Sequence, residues 1–221
     1  MINTTTDTGI INEYLEYIGH DNFPCIAAKA ALAKSQISCL VVGHMACPAD
    51  DSYILNFLYD FVDRFRNSEE LYHSATIIFE QPVTLNETEF DRFMWARLQA
   101  LSDLDSVNYE YDARVGSNPK STDFSFSLKE EAFFIIGLHP ASSRLTRKFK
   151  YPALTFNPHT QFERLREMQK FEKMQQTVRK RDLKVSGSIN PMLTNYGEAS
   201  EVYQYSGINY DQNWECPYKH S

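Results

Sequence analysis

The chain has 221 residues, 43% of them hydrophobic and 14% aromatic, and carries a formal net charge of −7 from 22 Lys and Arg against 29 Asp and Glu. That is enough apolar material for one substantial core, and it excludes a disordered chain. The acidic balance disfavours nucleic acid as a partner, because such binding rests on Lys and Arg neutralising phosphates.

Met1–Gly9 is polar and Thr-rich, with neither the basic start nor the apolar stretch of a secretory signal. Residues 1–9 are therefore expected to be flexible and the protein cytoplasmic. Ile10, Ile11, Tyr14, Leu15 and Ile18 have the spacing of an amphipathic helix that Gly19 ends. Pro24 suits the first turn of a second helix, where its missing N–H would lack a partner anyway. The small face formed by Ala27, Ala30 and Ala31 predicts close packing of that helix against a neighbour. Ile37–Val42 reads as a buried strand. Ile54, Leu58, Phe61 and Phe65 place one apolar stripe on a helix over about residues 50–67, and Ala75–Phe79 is a further strand.

Asn86 with Glu89 has the pattern of a helix start, continued by Phe90, Met94, Leu98 and Leu101. A long polar loop covers 103–122. Phe124–Leu128 alternates whereas Ala132–Ile136 is continuously apolar, so the two predict a half-covered strand beside a central one, joined by a turn at Lys129–Glu131. Tyr151–Asn157 adds another strand. Thr160 and Glu163 are spaced as a capping box opening the longest helix, which sets Phe162, Leu165, Met168, Phe171, Met174 and Val178 on one side. From Ser186 onward regularity ends. Tyr196, Tyr203, Tyr205, Trp214 and Tyr218 nevertheless make too much aromatic surface for a free linker, so this irregular tail is expected to pack on the body. The element order predicts an α+β fold in one domain over 1–221, a single mixed sheet flanked by helices. No run approaches the ~18 apolar residues that cross a bilayer, so no membrane is expected. Cys25, Cys39, Cys47 and Cys216 form no CxxC pair and are expected to stay thiols.

Three blocks resemble a known family. One runs Gly137-Leu138-His139-Pro140-Ala141-Ser142-Ser143-Arg144, then Arg147-Lys148-Phe149, then Phe156-Asn157-Pro158-His159-Thr160-Gln161-Phe162-Glu163. A second is Asn190-Pro191-Met192-Leu193, followed by Tyr196-Gly197-Glu198-Ala199-Ser200-Glu201 and Gln204-Tyr205-Ser206-Gly207. The third pairs Phe23-Pro24-Cys25 with Trp214-Glu215-Cys216-Pro217-Tyr218. In sequence, order and spacing these resemble the YqcI/YcgG family over roughly residues 20–218. The resemblance implies binding of haem b and oxidative N-hydroxylation of arginine or a related guanidino or amino compound. Ile208 stands where the family pattern carries a basic residue.

Haem iron takes a His nitrogen or a Cys thiolate, and the porphyrin needs apolar walls and cations for its propionates. His139, at the end of an apolar strand and before Pro140, is the first choice for the iron; a simple turn-capping role stands equally open. His159 is an alternative ligand or a distal group meeting bound oxygen, and otherwise a brace for its turn. Cys25, in the first turn of a helix whose dipole favours thiolate, is the third candidate, against a small buried core residue. Arg144, Arg147 and Lys148 beside Ser142 and Ser143 offer cations and hydroxyls to propionates, or form a solvated basic loop. Glu198 and Glu201 offer carboxylates to a guanidinium substrate, or mark a short helical turn.

An oxygen-dependent hydroxylation also needs electrons. The sequence holds no flavin or iron–sulfur motif, so an external electron donor or peroxide is the expected partner besides the small substrate, and a homodimer stays open. The alternative is a non-catalytic haem-binding or gas-sensing protein using the same residues. A hydrolase is disfavoured because no G-x-S-x-G elbow occurs, and nucleotide binding because neither a P-loop nor G-x-G-x-x-G does.

Overall fold

The apolar runs collect into one five-stranded sheet. In the computed structural model, which describes residues 4–188, 192 and 197–220, the strands are β1 (Ile37–His44), β2 (Ser74–Gln81), β3 (Phe126–Leu128), β4 (Glu131–Leu138) and β5 (Ala153–Pro158). They stand in the order β1-β2-β5-β4-β3. β1 and β2 are parallel and the other neighbours antiparallel, which makes the sheet mixed and the fold α+β. The helices are α1 (Thr4–Gly19), α2 (Ile26–Ala33), α3 (Asp51–Arg66), α4 (Glu87–Asp105), α5 (His159–Glu167), α6 (Phe171–Ser186) and α7 (Val202–Tyr205). The parallel pair needs a crossover, and α3 supplies it. Lys129 and Glu130 turn the β3–β4 hairpin at φ of 51° and 57°, the left-handed pair that suits the twist of its strands.

Alternation along the strands sorts residues onto two faces. Phe133 and Ile135 of β4 and Leu154 and Phe156 of β5 meet Phe61 of α3 and Phe90, Met94 and Leu98 of α4. Val41, Ile78, Leu138 and Ala153 meet Ile10, Tyr14 and Ile18 of α1 on the other face. The aromatic tail returns as expected: Tyr205 and Tyr218 are buried in the α4-side core beside Phe124 and Phe126. Tyr196 lies outside the described residues. No described helix is long and apolar enough to cross a membrane.

Three expectations need correcting. The first helix begins at Thr4, inside the stretch read as flexible. The Thr160–Glu163 capping box does not form, because Pro158 holds the cap position; the Thr160 hydroxyl, inside the first turn, instead donates to Glu131 Oε1 at 2.8 Å. The single long helix is two. Gln169 adopts a left-handed φ of 56°, and its N–H and that of Lys170 bond back to the Arg166 and Leu165 carbonyls, closing α5 before α6 begins. At 19 residues, α4 is the longest described helix, and the Asn86–Glu89 capping box does open it, with reciprocal bonds of 2.8 and 2.9 Å.

Gly137 sits where α4 and the tail close on β4. A Cβ there would lie 2.7 Å from the Phe90 ring and 3.1 Å from the Tyr205 carbonyl oxygen. Gly137→Ala is therefore expected to lower stability by about 1–3 kcal/mol, read as a reduced urea midpoint at unchanged slope.

Candidate functional site

On the face of the sheet that carries α1, the packed core stops short of α5. A cavity of about 280 Å³ takes its place, walled by α2, α5, α6 and the sheet. Its floor is Phe134, Ile136 and Leu138 of β4. Ala27, Ala28 and Ala31 form the α2 wall; the helix packs against α1 and β1 as its small residues predict, with Ala31 buried, and it borders the cavity as well. Phe171, Met174 and Val178 of α6 face inward from the far side, yet no residue of α6 is buried. Phe171 packs edge-on against Phe162, and the rest of the apolar stripe faces the chamber.

One end of the cavity is cationic. Arg144 donates to Asp182 Oδ2 at 2.6 Å, and the Thr146 hydroxyl donates to Asp182 Oδ1 at 2.9 Å, which ties α6 to the segment after β4. Arg147 donates to the carbonyls of Tyr205 (2.7 Å), Gln204 (2.7 Å) and Gly137 (3.3 Å), pinning the tail to β4. Burial, with repulsion from Arg144, pushes the Arg147 guanidinium down to about 10, still protonated at neutral pH.

Cys25 lines the same chamber. It is the N-cap residue of α2, and its Sγ accepts the Ala28 N–H at 3.5 Å. Burial raises the thiol pKa, and the Ala28 and Ala27 N–H groups pull it back by less. The helix terminus alone therefore does not make a thiolate, contrary to the expectation from sequence.

At the other end stand two carboxamides. The Asn157 Nδ2 donates to the Phe134 carbonyl at 3.2 Å, and the Gln161 Nε2 to the His73 carbonyl at 3.1 Å. Both residues line the cavity, as does His73, whose pKa burial lowers.

The structure thus brings together Cys25, Arg144 and Arg147 from the residues singled out by sequence. Ser142 is buried under its own turn, its Oγ accepting the Arg144 N–H; the Ser143 N–H bonds Glu87 Oε1; Lys148 is exposed. None of these three is among the lining residues. His139 is fully buried on the opposite face, its ring stacked on Phe90 at 4.2 Å. Neither of its nitrogens has a hydrogen-bond partner among the described residues, and burial pushes its pKa down to about 4. His159 and Glu201 are both buried and face each other at 3.5 Å, joining the start of α5 to the tail behind the cavity wall, while Tyr205 OH donates to Glu201 at 3.3 Å. Glu198 is exposed. Asn190, Pro191 and Leu193 lie outside the described residues.

Reading the sequence missed Asp182, the acid in an Arg179-Lys180-Arg181-Asp182 run, and Asn157 and Gln161, which lie in a quoted block but carried no assigned role. Among the described residues no group of three or more His, Cys, Asp or Glu side chains gathers as a metal site.

A model of the YqcI/YcgG family matches residues 14–219. The Uncharacterized protein YqcI of Bacillus subtilis (strain 168) is 27% identical over 208 residues, which span 90% of this chain and 81% of that protein. No solved structure matches the chain.

Proposed function

The chain belongs to the YqcI/YcgG family, and from that premise we propose that it is a haem-dependent monooxygenase that N-hydroxylates a guanidino or amino group of a small molecule. The observation that carries this reading is the cavity's own composition: a sulfur donor, Cys25, on an apolar wall, with the guanidinium groups of Arg144 and Arg147 at one end. Apolar walls, one strong axial donor and cations for two propionates are what a porphyrin requires of a protein. Haem iron takes only one or two protein donors, so the lack of a ligand cluster does not count against it.

In this reading Cys25 would hold the iron as its thiolate, and the Ala28 N–H, which already donates to Cys25 Sγ at 3.5 Å, would stabilise that charge. Arg144 and Arg147 meet the propionates. The cavity volume of about 280 Å³ lies at the small end for ligand sites and below what a macrocycle fills. The wall with least to lose by standing off is α6, none of whose residues is fully buried. When bound, the haem would supply the oxidising chemistry, either from dioxygen with two electrons from an external donor or from peroxide, whose oxygen is already reduced by two electrons. The protein orients the substrate nitrogen and excludes water. His159 and Glu201 act as positioning residues, because they brace the start of α5 against the tail from outside the chamber.

Titration of the purified protein with haemin tests this directly. The wild type is expected to take up one equivalent and to show, when reduced under carbon monoxide, the red-shifted band of thiolate ligation. Cys25→Ala should lose that band and His139→Ala should keep it. Ala27→Phe, which fills the chamber from α2, should take up no haem while keeping its helical circular dichroism. Folded wild type that binds no haemin, or a thiolate band that survives in Cys25→Ala, overturns the reading.

A further inference from the structure

Gln161 is only 4% exposed, lines the cavity, and carries a buried Oε1 with no hydrogen-bond partner among the described residues. A buried acceptor left unmade is costly, on the order of 1–3 kcal/mol, so such an atom points to a missing donor. The amide cannot resolve this by turning over. Its Nε2 donates to the His73 carbonyl at 3.1 Å, and a flipped amide would set oxygen against oxygen there. Asn157 is held in the same sense, one N–H of its Nδ2 donating to the Phe134 carbonyl, so the backbone fixes the orientation of both carboxamides and leaves the Gln161 oxygen to accept.

The position of these oxygens in the sheet matters as much as their orientation. Asn157 is the register partner of Phe134, and Leu138 that of Ala153. The carboxamide end therefore lies four β4 residues from the strand end that leads to Arg144 and Arg147, about 13 Å at ~3.3 Å per residue. Cations stand at one end of the chamber and acceptors at the other, with apolar side chains between them.

We propose that Gln161 Oε1, with the Asn157 carboxamide of the same cavity, is the receptor for the N–H-donating head group of the substrate, and that these two residues set specificity for amidine, guanidine or amine nitrogens over apolar ends of the same length. The proposal rests on the chamber being the substrate site, and it names the residues that select the nitrogen presented there. No charge is needed for the selection. A carbonyl acceptor that is already desolvated rejects a methyl-ended analogue because the analogue leaves it unpaired.

Isothermal titration calorimetry of the full chain with L-arginine and with L-norleucine tests it, since the two share a backbone and an apolar stem and differ in the N–H donors at the tip. Wild type is expected to favour L-arginine. Gln161→Met should weaken L-arginine by roughly ten- to hundredfold, the worth of a hydrogen bond to a charged group, and leave L-norleucine unchanged. Asn157→Leu should move the ratio in the same direction. Retained L-norleucine binding shows that a variant still has its site. A wild type that does not favour L-arginine, an unchanged ratio in either variant, or the loss of both ligands together in both variants overturns the proposal. Haemin titration of the same samples separates the two readings. Colourless protein that still selects L-arginine through Gln161 sinks the haem assignment alone, and haem-loaded protein with an unmoved ratio sinks this one alone.

Discussion

Arg147→Met is expected to remove about 3–5 kcal/mol of folding stability, the range for leaving buried polar partners uncompensated. The guanidinium satisfies three backbone carbonyls at once: Gly137 in β4, and Gln204 and Tyr205 in the tail. Methionine fills most of the volume and supplies no donor, so each oxygen stays buried and unmade. Tyr205 is fully buried against Trp95, Phe124 and Phe134, which prevents the tail from simply swinging out to water. Urea unfolding of wild type and variant at neutral pH measures the difference. Arg147→Lys should recover only part of it, because an ammonium is a point donor where the guanidinium is a planar fork reaching two segments. A loss below about 1 kcal/mol in Arg147→Met would show that the tail is held by its aromatic packing alone.

His139 makes the second large expectation, a loss of stability with falling pH. Its folded pKa of about 4 lies below the ordinary value of 6.5 because burial, against the Phe90 ring, penalises the charged imidazolium. The sign follows from which state binds the proton more readily. Unfolded chain protonates at higher pH than folded chain, so the group costs nothing above pH 6.5 and draws stability away as pH falls from there to 4. At about 1.36 kcal/mol per pKa unit, the full loss is on the order of 3 kcal/mol, and roughly 2 kcal/mol of it is reached by pH 5. His139→Phe keeps a ring on Phe90 and abolishes the titration. Stability measured at pH 7.5 and pH 5 should therefore fall by that amount more in wild type than in the variant. Equal slopes in the two proteins would show that the imidazole finds a partner when charged.

The same histidine shows where the sequence was readable and where it was not. The strand leading to it was plain, because Ala132–Ile136 is continuously apolar, and so was the helix opened by the Asn86–Glu89 box. The period of two along β4 also separates His139 from Phe134, Ile136 and Leu138, and following it one residue past the strand end places the imidazole on the α4 side. The break between α5 and α6 left no such trace, since Gln169 takes a left-handed conformation where glycine is the usual signal. The chamber itself was invisible for a different reason. It consists of volume that Ala27, Ala28 and Ala31 do not fill, and an alanine face reads equally well as close packing. Cys25, Arg144 and Arg147 could be singled out one by one from residue type and from the family blocks. Their meeting in one place depends on contacts between segments more than a hundred positions apart.

Mechanically, α6 is a beam supported at its ends. The turn through Gln169 and Lys170 carries one support, and the tie from Asp182 to Arg144 and Thr146 carries the other. Between them its half-buried inner side borders the cavity. A span held this way bows most at its middle, near Met174 and Val178, so the thickness of what passes beneath can vary while the positions of the two polar ends stay put.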